Sequence, residues 1–231
     1  MTSPAVFIDR DGTLVYPRHY PTRPEQLRVY EDIGPVLRRL QVAGFRIVVI
    51  TNQSGLALGL FTEADLERMH AHLRQQLLHD HVEIDGIYYC PHHPEGRIPA
   101  LTMRCACRKP KPGLLLRAAA ELELDLGHSW FVGDILDDVE AGNRAGCHTI
   151  LVDQGTEAAP QSALRSPDYV AQTTHNALTI IAALHRLRST PLLHYRPHRW
   201  SVADRPETRM PAPYEASMGN DAEGGAHDQQ R

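Results

Sequence analysis

No apolar run in the 231-residue sequence approaches the ~20 residues that a membrane-spanning helix requires. The first apolar run, at residues 5–8, is too short for the core of a secretory signal and has no basic flank. An excess of positive charge is missing as well. The formal net charge is −4, with acids and bases dispersed along the chain. That balance supplies neither the basic footprint of a nucleic-acid binder nor a polybasic membrane patch. There is no internal repeat. Cysteine is scarce, and of the four present three crowd into residues 90–107. The expectation is a cytoplasmic protein without nucleic-acid or membrane partners, while protein partners are left open. In a reducing compartment such crowding favours a metal site over a disulfide framework. What is present is ordinary for one globular domain: 42% hydrophobic and 23% charged residues, with enough length for a sizeable core.

Short apolar runs at 5–8, 46–51, 86–89, 130–133 and 148–152 alternate with helix-period segments at 33–43, 62–80, 113–124 and 136–145. This order predicts an α/β fold with a doubly wound, mostly parallel sheet. Thr62 is placed to cap the second helix, with Asp65 completing an acidic capping box, and Pro112 suits the first turn of the third. Residues 168–170 add a last strand and 175–188 a final helix. The expected domain is 1–190. Beyond it, residues 191–231 are rich in Pro, Gly, His and charge without apolar periodicity, which reads as a flexible tail. Asp9, Thr51, Cys90 and Asp134 each fall at the carboxyl end of a different expected strand, the edge where open parallel sheets bind ligands.

The chemistry follows from those positions. Asp9 and Asp11, in Phe7-Ile8-Asp9-Arg10-Asp11-Gly12-Thr13, stand two residues apart as a strand runs out. In extended chain they face one side, ~6–7 Å apart at the backbone. A phosphoryl group fits between them, one carboxylate attacking phosphorus and the other serving the leaving oxygen and then water. Thr51 and Asn52 close the second strand with hydrogen-bonding groups suited to an anion. Arg108 and Lys109 offer the cations that a phosphate beside two carboxylates needs, with Lys111 as a solvated neighbour. Asp134, followed by Asp137 and Asp138, offers the oxygen ligands that suit Mg2+; Asp138 is the better of the latter two for a supporting role. Cys90, His92, Cys105 and Cys107 bracket one loop and satisfy a closed tetrahedral Zn2+ site of structural type. His93 is the rival to His92, and Cys147 reads as a small buried hydrophobe.

With these motifs in this order, the sequence resembles the haloacid dehalogenase (HAD) superfamily. The resemblance implies that Asp9 is the nucleophile and Asp11 the general acid/base. It implies that Lys109 is the phosphate-binding lysine, and that Asp9, Asp134 and the backbone carbonyl of Asp11 hold Mg2+. The Cys/His cluster followed by Cys107-Arg108-Lys109-Pro110 is similar to the branch of heptose 1,7-bisphosphate and histidinol-phosphate phosphatases. Tyr89-Cys90-Pro91-His92-His93-Pro94 and Thr51-Asn52-Gln53-Ser54-Gly55 are especially close to the heptose enzymes; the histidinol enzymes usually carry Asp at the Ser54 position. The implied activity is removal of the 7-phosphate from a heptose bisphosphate. Another small phosphorylated metabolite such as histidinol phosphate is the alternative, and a catalytically silent binding domain the third reading.

Three departures from the heptose pattern stand out. Leu58 replaces an arginine, Ile135 replaces a lysine after Asp134, and residues 19–24 lack the usual Gly-Tyr-Val. Arg18 and Arg23 are the candidates to restore the lost charge. Neither gap between motifs holds enough chain for a large cap domain. An open site is expected, walled by residues 15–25 and the zinc loop.

Overall fold

The computed structural model describes residues 2–189, with side chains through residue 186. The expected tail at 191–231 lies outside the described residues. Six strands form one sheet: β1 (Ala5–Ile8), β2 (Arg46–Asn52), β3 (Gly86–Cys90), β4 (Trp130–Gly133), β5 (His148–Val152) and β6 (Tyr169–Ala171). All pairings are parallel, in the order β3-β2-β1-β4-β5-β6. The helices are α1 (Gly34–Val42), α2 (Glu63–Leu78), α3 (Gly113–Leu122), α4 (Leu136–Ala145) and α5 (Thr174–Ser189).

Strand periodicity divides the core. Val6 and Ile8 face one side with Ile47, Val49, Val132 and Ile150, against α1, α2 and α5. Ala5 and Phe7 face the other with Val48, Ile50 and Phe131, against Leu114, Leu115 and Ala118 of α3 and Ala141 of α4. Helices therefore cover both faces, as an all-parallel sheet requires. The Thr62–Asp65 capping box forms at the start of α2, Thr62 N–H donating to Asp65 Oδ2 at 2.8 Å. Pro112 is the N-cap of α3 and not part of its first turn.

The strand order reverses between β1 and β4. Chain leaving β1 moves outward through β2 and β3, then returns to the opposite side of β1 as β4. The two strands that end in Asp9 and Asp134 are thus neighbours at the switch point, where a crevice opens at the carboxyl edge. Their register is fixed by Asp9 N–H donating to Val132 O at 2.9 Å. No cap domain interrupts the described chain. Between β1 and α1 there is irregular chain with a single 3-10 turn at Pro24–Gln26, and between β3 and α3 another at Pro99–Leu101.

Candidate active site and metal clusters

Asp9 follows β1 directly and is 6% exposed. Lys109, from the loop before α3, reaches it with Nζ 2.5 Å from Asp9 Oδ1 and also donates to Ile50 O at 3.2 Å. The same ammonium lies 2.6 Å from Asp138 Oδ1, a close ion pair rather than an aligned hydrogen bond. Asp138 occupies the third position of α4, and its Oδ2 accepts the Ile135 N–H at 3.3 Å. Asp134, at the end of β4, is oriented by the Thr13 hydroxyl, which donates to Oδ1 at 3.0 Å. Gly12 makes that approach possible: its φ is +85°, and a β-carbon there would overlap the Asp134 carboxylate. The turn is anchored by Gln154, donating to Gly12 O at 2.6 Å, and by Thr174, donating to Thr13 O at 2.6 Å.

Carboxylate oxygens of Asp9, Asp134 and Asp138 lie within 4.8 Å of one another. Burial pushes the Asp9 carboxyl up to about 7, against the pull of Lys109. It lifts Asp134 to about 6, with the charge of Asp9 adding to the effect. Asp138 is raised by burial as well, again opposed by Lys109. For Lys109, burial acts to lower the ammonium's pKa, but Asp138 and Asp9 outweigh it and hold it above the ordinary lysine range. Three crowded acids facing one ammonium leave an excess of negative charge in a site lined by oxygen donors. That donor set fits Mg2+.

Asp11 points elsewhere. Its carboxylate accepts from Arg10 Nε and Nη2 at 2.9–3.2 Å and from Gln53 Nε2 at 3.0 Å. Arg10 is fully buried and also donates to Gln53 Oε1 at 2.9 Å. Gln53 in turn donates to Thr51 Oγ1 at 2.8 Å, which leaves the Thr51 hydroxyl proton free to meet an anion. Sequence reasoning missed Arg10 and Gln53. An arginine between two aspartates carries no signal of burial, because the groups that bury it come from other elements. Asn52 takes a role different from the one expected. Its side chain bonds the Lys109 backbone in both directions, at 3.1 and 3.3 Å, so it positions the lysine loop and its amide does not face the carboxylates. Arg108 donates to Ser54 Oγ at 2.7 Å and to His92 O at 3.3 Å.

Arg108 thus reaches the backbone of the second cluster while its neighbour Lys109 reaches the carboxylates. Cys90, His92, Cys105 and Cys107 converge, with Sγ–Sγ separations of 3.2, 3.2 and 3.5 Å. His92 Nδ1 lies 3.4 Å from Cys107 Sγ and 3.7 Å from Cys90 Sγ. A tetrahedron of ~2.3 Å Zn–S bonds has edges of ~3.8 Å, so the donors fit zinc with a slight expansion. All four cysteines are free thiols. His93 is excluded from the cluster, its Nδ1 accepting the Glu95 N–H at 3.1 Å. Lys111 donates to Cys105 O at 2.6 Å and so ties the loop. Cys147 is 6% exposed within the α3–α4 core, where burial pushes its thiol up to about 12.

Comparison with known proteins agrees with this architecture. A family model described as HAD-hydrolase-like matches residues 106–177. D-glycero-beta-D-manno-heptose-1,7-bisphosphate 7-phosphatase of Escherichia coli K12 is 41% identical over 160 residues, covering 69% of this chain and 84% of that protein. The chain belongs to the HAD superfamily of phosphatases, in the branch that contains the heptose-bisphosphate enzymes. The protein of the same name from Rhodopseudomonas palustris is 41% identical over 143 residues, covering 62% of this chain and 79% of the relative. Among solved structures, D,D-heptose 1,7-bisphosphate phosphatase from B. bronchiseptica, complexed with magnesium and phosphate, superposes with a TM-score of 0.66 at 28% identity. It covers 78% of this chain and 99% of that one. Against this HAD background two of the three departures take physical form. Ile135 is the half-buried N-cap of α4, and Leu58 lies on the loop after β2, its N–H donating to Ser54 O at 3.0 Å.

Proposed function

We propose that this HAD phosphatase removes the 7-phosphate of D-glycero-β-D-manno-heptose 1,7-bisphosphate in the cytoplasm, through an aspartyl phosphate on Asp9. The observation that carries the reading is the convergence of Asp9, Lys109, Asp134 and Asp138 at the switch point, with Lys109 Nζ 2.5 Å from Asp9 and 2.6 Å from Asp138. The names of the relatives and the magnesium and phosphate of the B. bronchiseptica structure support the substrate and the metal.

In this reading Asp9 and Asp134 hold Mg2+ through their carboxylates and Asp11 through its backbone carbonyl. Bound there, Mg2+ would supply charge neutralisation of the phosphate and polarise it for transfer. Asp9 attacks phosphorus and the P–O bond to the sugar breaks. The Asp11 carboxylate, 30% exposed, leaves its contacts with Arg10 and Gln53, takes up a proton from solvent and passes it to the departing oxygen. It then takes a proton from the water that cleaves the acyl phosphate, which restores Asp9 and releases phosphate. Lys109 and the Thr51 hydroxyl bear the charge on the transferring group. Asp138 keeps Lys109 charged and aimed, Asn52 fixes its backbone, and Arg108 faces the substrate beside Ser54. Cys90, His92, Cys105 and Cys107 hold a structural Zn2+ that shapes the loop carrying His92 and Arg108 against the site.

The test is phosphate release with Mg2+ across both heptose bisphosphate anomers, histidinol phosphate and simple sugar phosphates. The expected result is a clear preference for a heptose bisphosphate. Preference for histidinol phosphate would overturn the substrate assignment and leave the reaction class standing.

A further inference from the structure

A cavity of about 440 Å³ opens among His19, Tyr20, Thr22, Leu58, Leu60 and Arg97. Its walls are the loops that leave β1, β2 and β3, the three strands whose carboxyl ends carry Asp9, Thr51 and Cys90. The position is set by backbone bonds. Leu58 N–H donates to Ser54 O at 3.0 Å, which puts Leu58 about one helical turn, ~5 Å, from the residue that holds Arg108. Arg97 and Ile98 N–H groups both donate to Ala57 O, at 2.7 and 2.9 Å. The zinc loop is thereby latched beside Leu58, and Arg97 is delivered into the cavity. Arg97 is exposed, and among the described residues no carboxylate pairs with it. The opposite wall is organised too. Gln26 Oε1 accepts from Thr22 N–H at 2.7 Å and Arg23 N–H at 3.1 Å. Tyr20 takes a φ of +45°, a strained conformation for a bulky residue and one that clusters at ligand sites.

We propose that Arg97, with His19 as a second donor, forms an anion subsite for the phosphate that is not transferred. Arg97 thus supplies from the zinc loop the positive charge that Leu58 does not supply from the β2 loop. Arg18 and Arg23, the cations that the sequence offered for this purpose, do not line the cavity. A guanidinium suits the task because its fork matches two phosphate oxygens. Leu58 and Leu60 give that contact an apolar neighbour on the same lining. An anion subsite on the loops of the sheet edge that carries Asp9, with Asp9 itself outside its lining, suits a sugar phosphorylated at both ends. The inference rests on the phosphatase reading for its substrate, but binding alone tests it.

Two measurements separate the outcomes. In the first, kcat/KM for the heptose 1,7-bisphosphate is divided by that for the corresponding 7-monophosphate, in wild type, Arg97→Met and the Leu58→Arg/Arg97→Met double variant. The ratio is expected to fall about 10- to 100-fold in Arg97→Met, through KM, as a charge-assisted pair is lost. The double variant is expected to recover most of it. Equal losses on both substrates, or none, overturn the proposal. In the second, Asp9→Asn protein, with and without Arg97→Met, is titrated calorimetrically with the bisphosphate. A dissociation constant about tenfold weaker without Arg97 sustains the subsite even if wild type turns over no bisphosphate, an outcome that would defeat the functional reading alone. An unchanged dissociation constant overturns the subsite whatever the turnover.

Discussion

Two clusters of metal-seeking side chains flank the Arg108–Lys109 pair, Lys109 reaching one and Arg108 the other, and they are built in opposite ways. The carboxylates of Asp9, Asp134 and Asp138 stand on the ends of β1 and β4 and the first turn of α4. Each is held by a group outside its own segment: Val132 O of β4 for the Asp9 backbone, the turn residue Thr13 for Asp134, and Lys109 from the loop before α3 for Asp138. The thiols and imidazole of residues 90–107 stand on a loop whose regular structure is one 3-10 turn. Its contribution to the core is small: Leu101 packs against one face of the sheet, and Cys90, Cys105 and Cys107 themselves against the other. The first cluster is preorganised by the sheet and lends its geometry to the metal. The second, on a loop with little regular structure, would draw on a bound Zn2+ to offset its ordering entropy.

The largest effect should come from breaking the preorganised side without disturbing its frame. Asp9→Asn is isosteric and keeps the turn at Gly12, so turnover is expected to fall by at least ~10⁴-fold. Thermal unfolding measured alongside should show no loss of stability. Loss of both would mean that Asp9 holds the fold and not the chemistry. Breaking the other side should do the reverse. Cys107→Ser is expected to abolish stoichiometric zinc by elemental analysis and to raise proteolytic cleavage within residues 91–106. Turnover falls by about 10- to 100-fold, the range for lost outer support of a site, through Arg108 and Arg97. Full activity in a zinc-free protein would show that the loop orders itself.

A smaller effect sharpens the same contrast from beneath the sheet. His70 on α2 packs against Tyr89 of β3, and burial, with the charges of Arg10 and Arg74, pushes its imidazole down to about 3. An unfolded histidine takes up a proton below ~6.5, whereas folded His70 stays neutral down to about 3. The stability is therefore fully present above the unfolded value and is lost as pH falls toward the folded one, by on the order of a few kcal/mol. His70→Phe should flatten urea-derived stability between about pH 6 and 4 by close to one proton relative to wild type. An unchanged slope would show that the imidazole is already charged in the fold.

Much of this architecture was legible because the relevant signals are local. The β1 and β4 boundaries follow from short apolar runs, and the α2 start from Thr62 and Asp65. Strand ends drifted by one residue where the apolar run was followed by a residue able to continue the ladder, as at Asn52 and Cys90. The functional motifs were legible for the same reason: each is a short string at one strand end. What escaped depends on which loops meet. Asp138 stands at the third position of α4, where a side chain reaches back toward the helix start; the sequence pointed to a supporting role for it but gave no sign of Lys109 as its partner. Arg10 and Gln53 had no such sign, because their shared contact with Asp11 joins β1 to the chain after β2. Arg97 was invisible for the same reason, its place beside Leu58 being fixed by the Ala57 carbonyl.

The central claim is that Asp9 carries the phosphoryl group. Acid-quenched single turnover with Mg2+ and the heptose bisphosphate, followed by peptide mass analysis, tests it most directly. The account predicts a transient phosphoryl adduct on the peptide containing Asp9, absent from Asp9→Asn. An adduct on another residue, or undiminished turnover by Asp9→Asn, would contradict it.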